Sequence, residues 1–370
     1  MAPVIEAADG PSVVVGGRRL VSFAGCDYLG LARDPAVVAA AQEALRRCGV
    51  GAGASRTTTG TWTAHLELER SFADWMDADD AVLLPSGYVA AAALAVALAP
   101  RCDVVLLDAG AHPSLHDAAT LTRLPVVEYA RFDAAAARRS ARGRRPLLIT
   151  DAVHVPSGRL APLRALRDVV DRAGGRLIVD DAHGVGVLGL RGRGAVEALA
   201  AGGPRVHVAG SLSKALGAHG GFVVGTRALC DDVRTRFAAY AGATPIPPAT
   251  AAAACAALHL AAAVDSPRRR LRANAALLRR RFVAMGLATP RAGTPWFAVA
   301  GRPPRELKTI ERSLLRAGFL VPYLRYFGAP AEGFLKIAVT AAHRREHVEA
   351  LADALARISH QGSRASGAYR

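Results

Sequence analysis

The sequence predicts an α/β fold built on a large, mostly parallel sheet, and three observations carry that reading. Short apolar strands alternate with helices from about residue 80 to residue 240. Each strand is a near-continuous run of Val, Leu and Ile, as expected for strands covered on both faces. Polar residues follow the strands directly, at the edge where open α/β sheets hold their ligands.

In chain order, VVVGGRRLVSFA (13–24) reads as a β-hairpin turning at Gly16-Gly17. PAVVAAAQEALRRCG (35–49) reads as a helix with a glycine stop. Strands are expected at 81–85, 103–108, 125–130, 146–153, 176–182, 205–211 and 221–225, with helices at 63–77, 87–99, 114–122, 162–173 and 193–201. Two helices rich in Ala and Arg follow (247–264 and 267–285). Strands near 296–300 and 334–340 and helices at 304–317 and 343–358 make a second, smaller α/β layer. The expected organisation is an N-terminal hairpin and helix segment (1–45), a large cofactor-binding domain (46–265), a small C-terminal α/β domain (266–358) and a disordered tail (359–370).

Composition narrows the function. A hydrophobic content of 51% over 370 residues is enough for a large core and excludes a disordered chain. The net charge of +16 invites a nucleic-acid partner, but the arginines are spread along the chain and aromatics are only 5%. Ordinary surface charge, or a basic face for an acidic partner such as coenzyme A or an acyl carrier protein, accounts for it better. The five cysteines are scattered and show no C-x-x-C, which fits a reduced cytoplasm and neither a disulfide framework nor a zinc site. The apolar runs 89–99 and 249–264 are too short and too alanine-rich to span a membrane, and the start has no signal-peptide pattern.

The chemistry is read at the strand ends. They carry His112, Asp151, the stretch DDAHG with Asp180, Asp181 and His183, and the stretch SLSK with Ser211, Ser213 and Lys214. Upstream, Ser86-Gly87-Tyr88 opens a helix whose backbone N–H groups can hold a phosphate. Of the 47 basic residues only Lys214, Lys308 and Lys336 are lysine. Arginine cannot give up its proton at neutral pH, whereas lysine can, and can then join an aldehyde as a Schiff base. Lys214 at a strand end therefore suggests pyridoxal 5′-phosphate. That cofactor needs an anion at its ring nitrogen, which Asp180 can supply; the competing reading of DDAHG is an aspartate pair capping the next turn. His183 can bond the ring hydroxyl and His112 can stack on the ring, although a lone histidine after a strand is more often structural. GVGVLG (184–189) matches G-x-G-x-x-G, but it does not sit directly at the strand turn, which argues against a nicotinamide cofactor. His343 and His347 have metal-ligand spacing but no third ligand, and read as a solvated face with no metal.

At this point the chain resembles the α-oxoamine synthases, pyridoxal-phosphate enzymes of the aminotransferase-like fold (fold type I). The resemblance runs from about 18 to 358 and rests on FAGCDYLGLA (23–32), GAGASRTTTGTWTAHLELE (51–69), PSGYVAA (85–91), AHPSL (111–115), the segment 176–197, GSLSKALGAHGGFVVG (210–225), ATPIPPA (243–249) and KIAVTAAH (336–343). It implies Lys214 as the Schiff-base lysine, Asp180 at the ring nitrogen, His183 at the ring hydroxyl and His112 on the ring face. It implies that Gly87, Tyr88 and Ser211 hold the phosphate. Thr244 matches a threonine that reaches the phosphate of the neighbouring subunit, so a homodimer with shared active sites is implied. The implied reaction is a decarboxylative condensation of an amino acid with an acyl thioester, giving an α-aminoketone, carbon dioxide and free thiol.

The departures lie at the substrate end. Asp27 stands where the family has asparagine and Lys336 where it has arginine, two positions that help hold the amino-acid carboxylate. His154 and Val155 replace an aromatic residue and a serine, and the family's N-terminal helix is short or missing. Two alternatives remain open: a pyridoxal-phosphate enzyme of another type (decarboxylase, aldol lyase or transaminase), or a catalytically altered partner subunit.

Overall fold

A computed structural model describes residues 3–263, 267–290, 294–326 and 328–366. The chain divides into two compact units, one of residues 31–154 and 160–266, the other of residues 1–30, 155–159 and 267–370.

The larger unit is built on a seven-stranded sheet: β1 (Asp80–Leu84), β2 (Val104–Asp108), β3 (Val126–Tyr129), β4 (Pro146–Asp151), β5 (Arg176–Asp180), β6 (Val206–Ser211) and β7 (Gly221–Gly225). All seven were expected from sequence. The spatial order is β1-β7-β6-β5-β4-β2-β3. β7 is antiparallel to both its neighbours, while the pairs from β6 to β3 are parallel. This is the mostly parallel sheet of the aminotransferase-like fold. Helix α1 (Ala90–Leu98) is apolar all round and accordingly buried on nearly every side, in the same core as Val105, Leu107 and Ile149. Helix α2 (Leu163–Ala173) is instead amphipathic and buries Leu163, Leu166, Val169 and Val170. The helix expected at 193–201 shortens to Ala195–Ala198, because Gly194 and Ala200 take positive φ on either side of it.

In the smaller unit the hairpin forms as expected, Ser12–Val15 against Arg18–Ser22, with Gly16 and Gly17 at φ +55° and +69°. Phe319–Leu320 adds in parallel to its second strand. A separate three-stranded sheet joins Trp296–Val299, Phe334–Ala338 and Tyr323–Leu324. Phe23, Phe282, Phe297, Leu335 and Ile337 lie in its core. The segment 1–45, set apart by sequence, is therefore shared: residues 1–30 belong to this unit and residues 31–45 to the larger one.

One expectation is corrected here, at His343. The helix Arg345–Ser366 includes the backbone of residues 359–366. No proline interrupts it, and once a helix is nucleated each added residue gains one hydrogen bond; residues 367–370 lie outside the described residues. His343 is not on a solvated face. It is buried, accepts from the Thr340 N–H at 2.9 Å, bonds the Ser22 carbonyl at 3.1 Å and stacks on Phe23 at 4.1 Å. Burial pushes its pKa down to about 4, which keeps it neutral.

Candidate functional site

The carboxyl edge of β2, β4, β5 and β6 carries His112, Asp151, Asp180 and Ser211, with His183 and Lys214 just beyond it. Asp151 ends β4 and Asp180 ends β5, and the two are register partners across the strand pair. Asp180 accepts from the Ala182 N–H at 3.0 Å and has no ion-pair partner within contact among the described residues. Burial pushes its pKa up to about 6; the Ala182 hydrogen bond and the Lys214 charge pull the other way.

Lys214 follows β6 and is half-buried. Among the described residues its amine makes neither a hydrogen bond nor an ion pair. Its charge is nevertheless felt by both Asp180 and His112, so the three groups converge. Its own strand ends in Ser211, which is buried and within 2.7 Å of the Ser213 hydroxyl.

His112 is the N-cap of the helix Pro113–Leu121. The Ser114 N–H donates to Nδ1 at 3.3 Å, so Nδ1 is an acceptor and the ring proton sits on Nε2. The His112 backbone N–H donates to Asp151 Oδ2 at 3.0 Å. Burial and, after it, the Lys214 charge lower the His112 pKa, so the imidazole is neutral at physiological pH. Tyr88 stands edge-on to this ring with centroids 6.1 Å apart, and its hydroxyl donates to Asp117 at 2.6 Å. The Tyr88 side chain is thus committed to its neighbours, leaving its backbone N–H for a ligand.

Gly87 shows why a small residue is required at the start of this helical turn. A Cβ there would lie 2.5 Å from Ser211 Cβ and 2.6 Å from its Oγ, closer than real side chains approach. Gly87 and Ser211 therefore form one tight floor at the sheet edge. His183 follows β5 in the same turn as Asp180 and is half-buried. Thr244 is exposed, between the helices Ala238–Gly242 and Pro248–Ala262, and no hydrogen bond joins it to the others among the described residues. In the smaller unit, Lys336 donates to Cys26 Sγ at 3.4 Å, next to Asp27 in the chain.

The two aspartates of DDAHG have separate tasks. Asp181 is fully buried and accepts from the Ala195 N–H at 2.6 Å, so it is the one that caps the following helix. One residue beyond the initial set joins the edge. Arg131, just past β3, pairs with Asp151 at 3.2 Å and reaches the Gly110 carbonyl and Asp108. Arg131 follows a strand as the other groups do, but the carboxylate it engages, Asp151 at the end of β4, is 20 positions away in sequence.

These groups fit pyridoxal 5′-phosphate. A buried carboxylate held above its normal pKa for want of a cation suits a protonated ring nitrogen. An amine with no protein partner suits a covalent attachment, and the Gly87–Ser211 floor leaves backbone N–H groups for a phosphate.

Comparisons agree. The sequence matches the family Aminotransferase class I and II over residues 18–355. It is 38% identical to an 8-amino-7-oxononanoate synthase of Anaeromyxobacter dehalogenans, covering 96% of this chain and 90% of that one. It is 36% identical to an 8-amino-7-oxononanoate synthase of Aromatoleum aromaticum, covering 95% and 92%. Among solved structures, a serine palmitoyltransferase of Sphingomonas wittichii superposes with a TM-score of 0.92 at 27% identity, covering 99% of this chain and 93% of that one. With a fold, a strand-edge lysine and relatives in agreement, the chain belongs to the aminotransferase class I and II family and, within it, to the pyridoxal-phosphate-dependent α-oxoamine synthases.

Proposed function

We propose that this chain joins the α-carbon of an amino acid to the acyl group of a thioester, carried by coenzyme A or an acyl carrier protein. The amino acid's carboxylate leaves as carbon dioxide, and an α-aminoketone and a free thiol are released. The convergence of the Lys214 amine, the Asp180 carboxylate and the neutral His112 ring at one sheet edge carries this reading.

When bound, pyridoxal phosphate supplies an aldehyde for attachment and an electron sink for negative charge at the amino acid's α-carbon. Asp180 would accept a charge-assisted hydrogen bond from the ring nitrogen and keep it protonated. His112, held by its helix cap and by Asp151, would lie against the ring, and His183 would bond the ring hydroxyl. Backbone N–H groups at Gly87 and Tyr88, with Ser211, would hold the phosphate. Lys214 would hold the cofactor through its aldehyde and, as a free amine, would take the proton at the amino acid's α-carbon and later return it. Thr244 would reach the phosphate of a second copy, which makes the working unit a homodimer. Asp27 and Lys336 would meet the amino-acid carboxylate, on the strength of the resemblance.

The test is absorbance and turnover of Lys214→Ala beside the unaltered protein. The variant should lose the visible band of the lysine-bound cofactor and all turnover while remaining folded. Full multiple-turnover activity in that variant would contradict the assignment.

A further inference from the structure

The larger unit carries a second concave site at the opposite edge of its sheet. A cavity of about 400 Å³ is lined by Arg138, Arg142, Arg144, Arg145 and Arg172 over a floor that includes Val169. The arginines come from the segment RRSARGRR (138–145), directly before β4, and from the last turn of α2. These are the amino ends of the strands, whereas Lys214, Asp180 and Asp151 follow the carboxyl ends. The length of β4 alone puts roughly 17 Å between the two edges.

Charge here is not balanced by protein. Arg145 pairs with Asp103 at 2.7 Å. Among the described residues the guanidinium groups of Arg138, Arg142, Arg144 and Arg172 make no hydrogen bond or ion pair. Nearby Asp171 is engaged by Arg167 and Arg205. Two helix C-termini, at Ser140 and Ala173, offset part of the positive charge. What remains is a ring of planar guanidinium groups, each able to grip a phosphate with two parallel hydrogen bonds. The volume lies within the range of small-ligand pockets. The arginines are exposed around a floor of buried Ala141 and Val169, and the volume between them suits a compact anion.

We propose that this pocket binds a small anion carrying two or more phosphate groups, either free polyphosphate or the phosphate end of a nucleotide. It lies at the sheet edge opposite Lys214, Asp180 and Asp151. The experiment is calorimetric titration of the protein, saturated with pyridoxal phosphate so that the cofactor's phosphate site is filled, with inorganic pyrophosphate and with ADP. The triple variant Arg142→Ala, Arg144→Ala, Arg172→Ala removes three exposed arginines of the pocket. The control triple Arg47→Ala, Arg280→Ala, Arg316→Ala removes the same charge from other exposed positions. One saturable site per chain is expected, weakened at least tenfold in the pocket triple and less than twofold in the control. ADP binding tighter than pyrophosphate assigns a nucleotide, and equal or weaker binding assigns free polyphosphate; either upholds the site. Absence of saturable binding, equal loss in both triples, or arginine-dependent binding of an acyl carrier protein with none of pyrophosphate would overturn it.

Discussion

Asp151 and Asp180 are register partners at the carboxyl ends of adjacent strands, and both resist charging. Burial raises both. The Asp180 charge adds to the effect on Asp151, which reaches about 7 despite Arg131, while Asp180 reaches about 6. A sheet edge that holds two such carboxylates is prepared for a cation.

Replacing Asp180 by Asn should leave the fold and cofactor binding in place but slow turnover roughly a hundred- to a thousandfold, the usual loss for a preorganised electrostatic partner. Asp181→Ala should do the reverse. It strands the buried Ala195 N–H, costs about 1–3 kcal/mol of stability, and changes the rate far less. Steady-state kinetics and thermal denaturation of both variants check the division.

The raised Asp180 pKa has a stability consequence in the cofactor-free protein. Between about pH 4, where the unfolded carboxyl titrates, and about pH 6, the folded state holds more protons than the unfolded one. Stability from this group is therefore complete below about pH 4 and lost as pH rises through 6. Asp180→Asn removes the dependence, so its melting temperature relative to the parent should climb from pH 4 to pH 6 and then level off. His207 and His343, both pushed down to about 4 by burial, contribute in the opposite sense as pH falls, which is why the difference between the two proteins is the quantity to follow. A difference that stays flat across that range would contradict the account.

Arg131 should behave as a positioning residue. It holds Asp151, which in turn holds the His112 backbone N–H. Arg131→Ala should cost on the order of ten- to a hundredfold in kcat/KM, the scale of a small misplacement in a reaction site. It should also shift the visible spectrum of the bound cofactor, and Arg131→Lys should restore part of both. An unchanged spectrum alongside lost activity would assign Arg131 a merely structural part.

At the substrate end, Lys336 donates to Cys26 Sγ, so its charge is available to a carboxylate only as a single point contact. The unaltered protein should use alanine poorly. Asp27→Asn together with Lys336→Arg should improve alanine use by more than the two single changes combined, as expected if both positions meet the one ligand proposed above. Kinetics of the four proteins of that cycle decide it; efficient alanine turnover by the parent with additive or harmful changes would return the substrate to a simple amino acid.

The seven sheet strands were legible because most are near-continuous apolar runs closed by a polar residue, and Lys214 stands out in the sequence because lysine is scarce here. Other features were not written locally. The helix Ala134–Ser140 is alanine followed by arginine, a pattern that shows no buried face until β3 and α2 are in place. Asp180 and Asp181 are adjacent and chemically identical; only the alternation of the strand, which turns one to the edge and the other into the loop, separates site from cap. Arg131 acts on residues 20 positions away in sequence, beyond the reach of any local pattern. His343 has the spacing of a ligand pair, yet it belongs to the core through contacts with Ser22 and Phe23 at the other end of the chain.

The central claim is thioester-dependent decarboxylation, and the most direct measurement is the stoichiometry of its products. With pyridoxal phosphate bound, a panel of carboxyl-labelled amino acids and acyl thioesters should reveal a pair for which labelled carbon dioxide, free thiol and an α-aminoketone appear in equal amounts, none of them when either substrate is omitted. Carbon dioxide released at the same rate without any thioester, or an amino group transferred with the carboxylate retained, would contradict it.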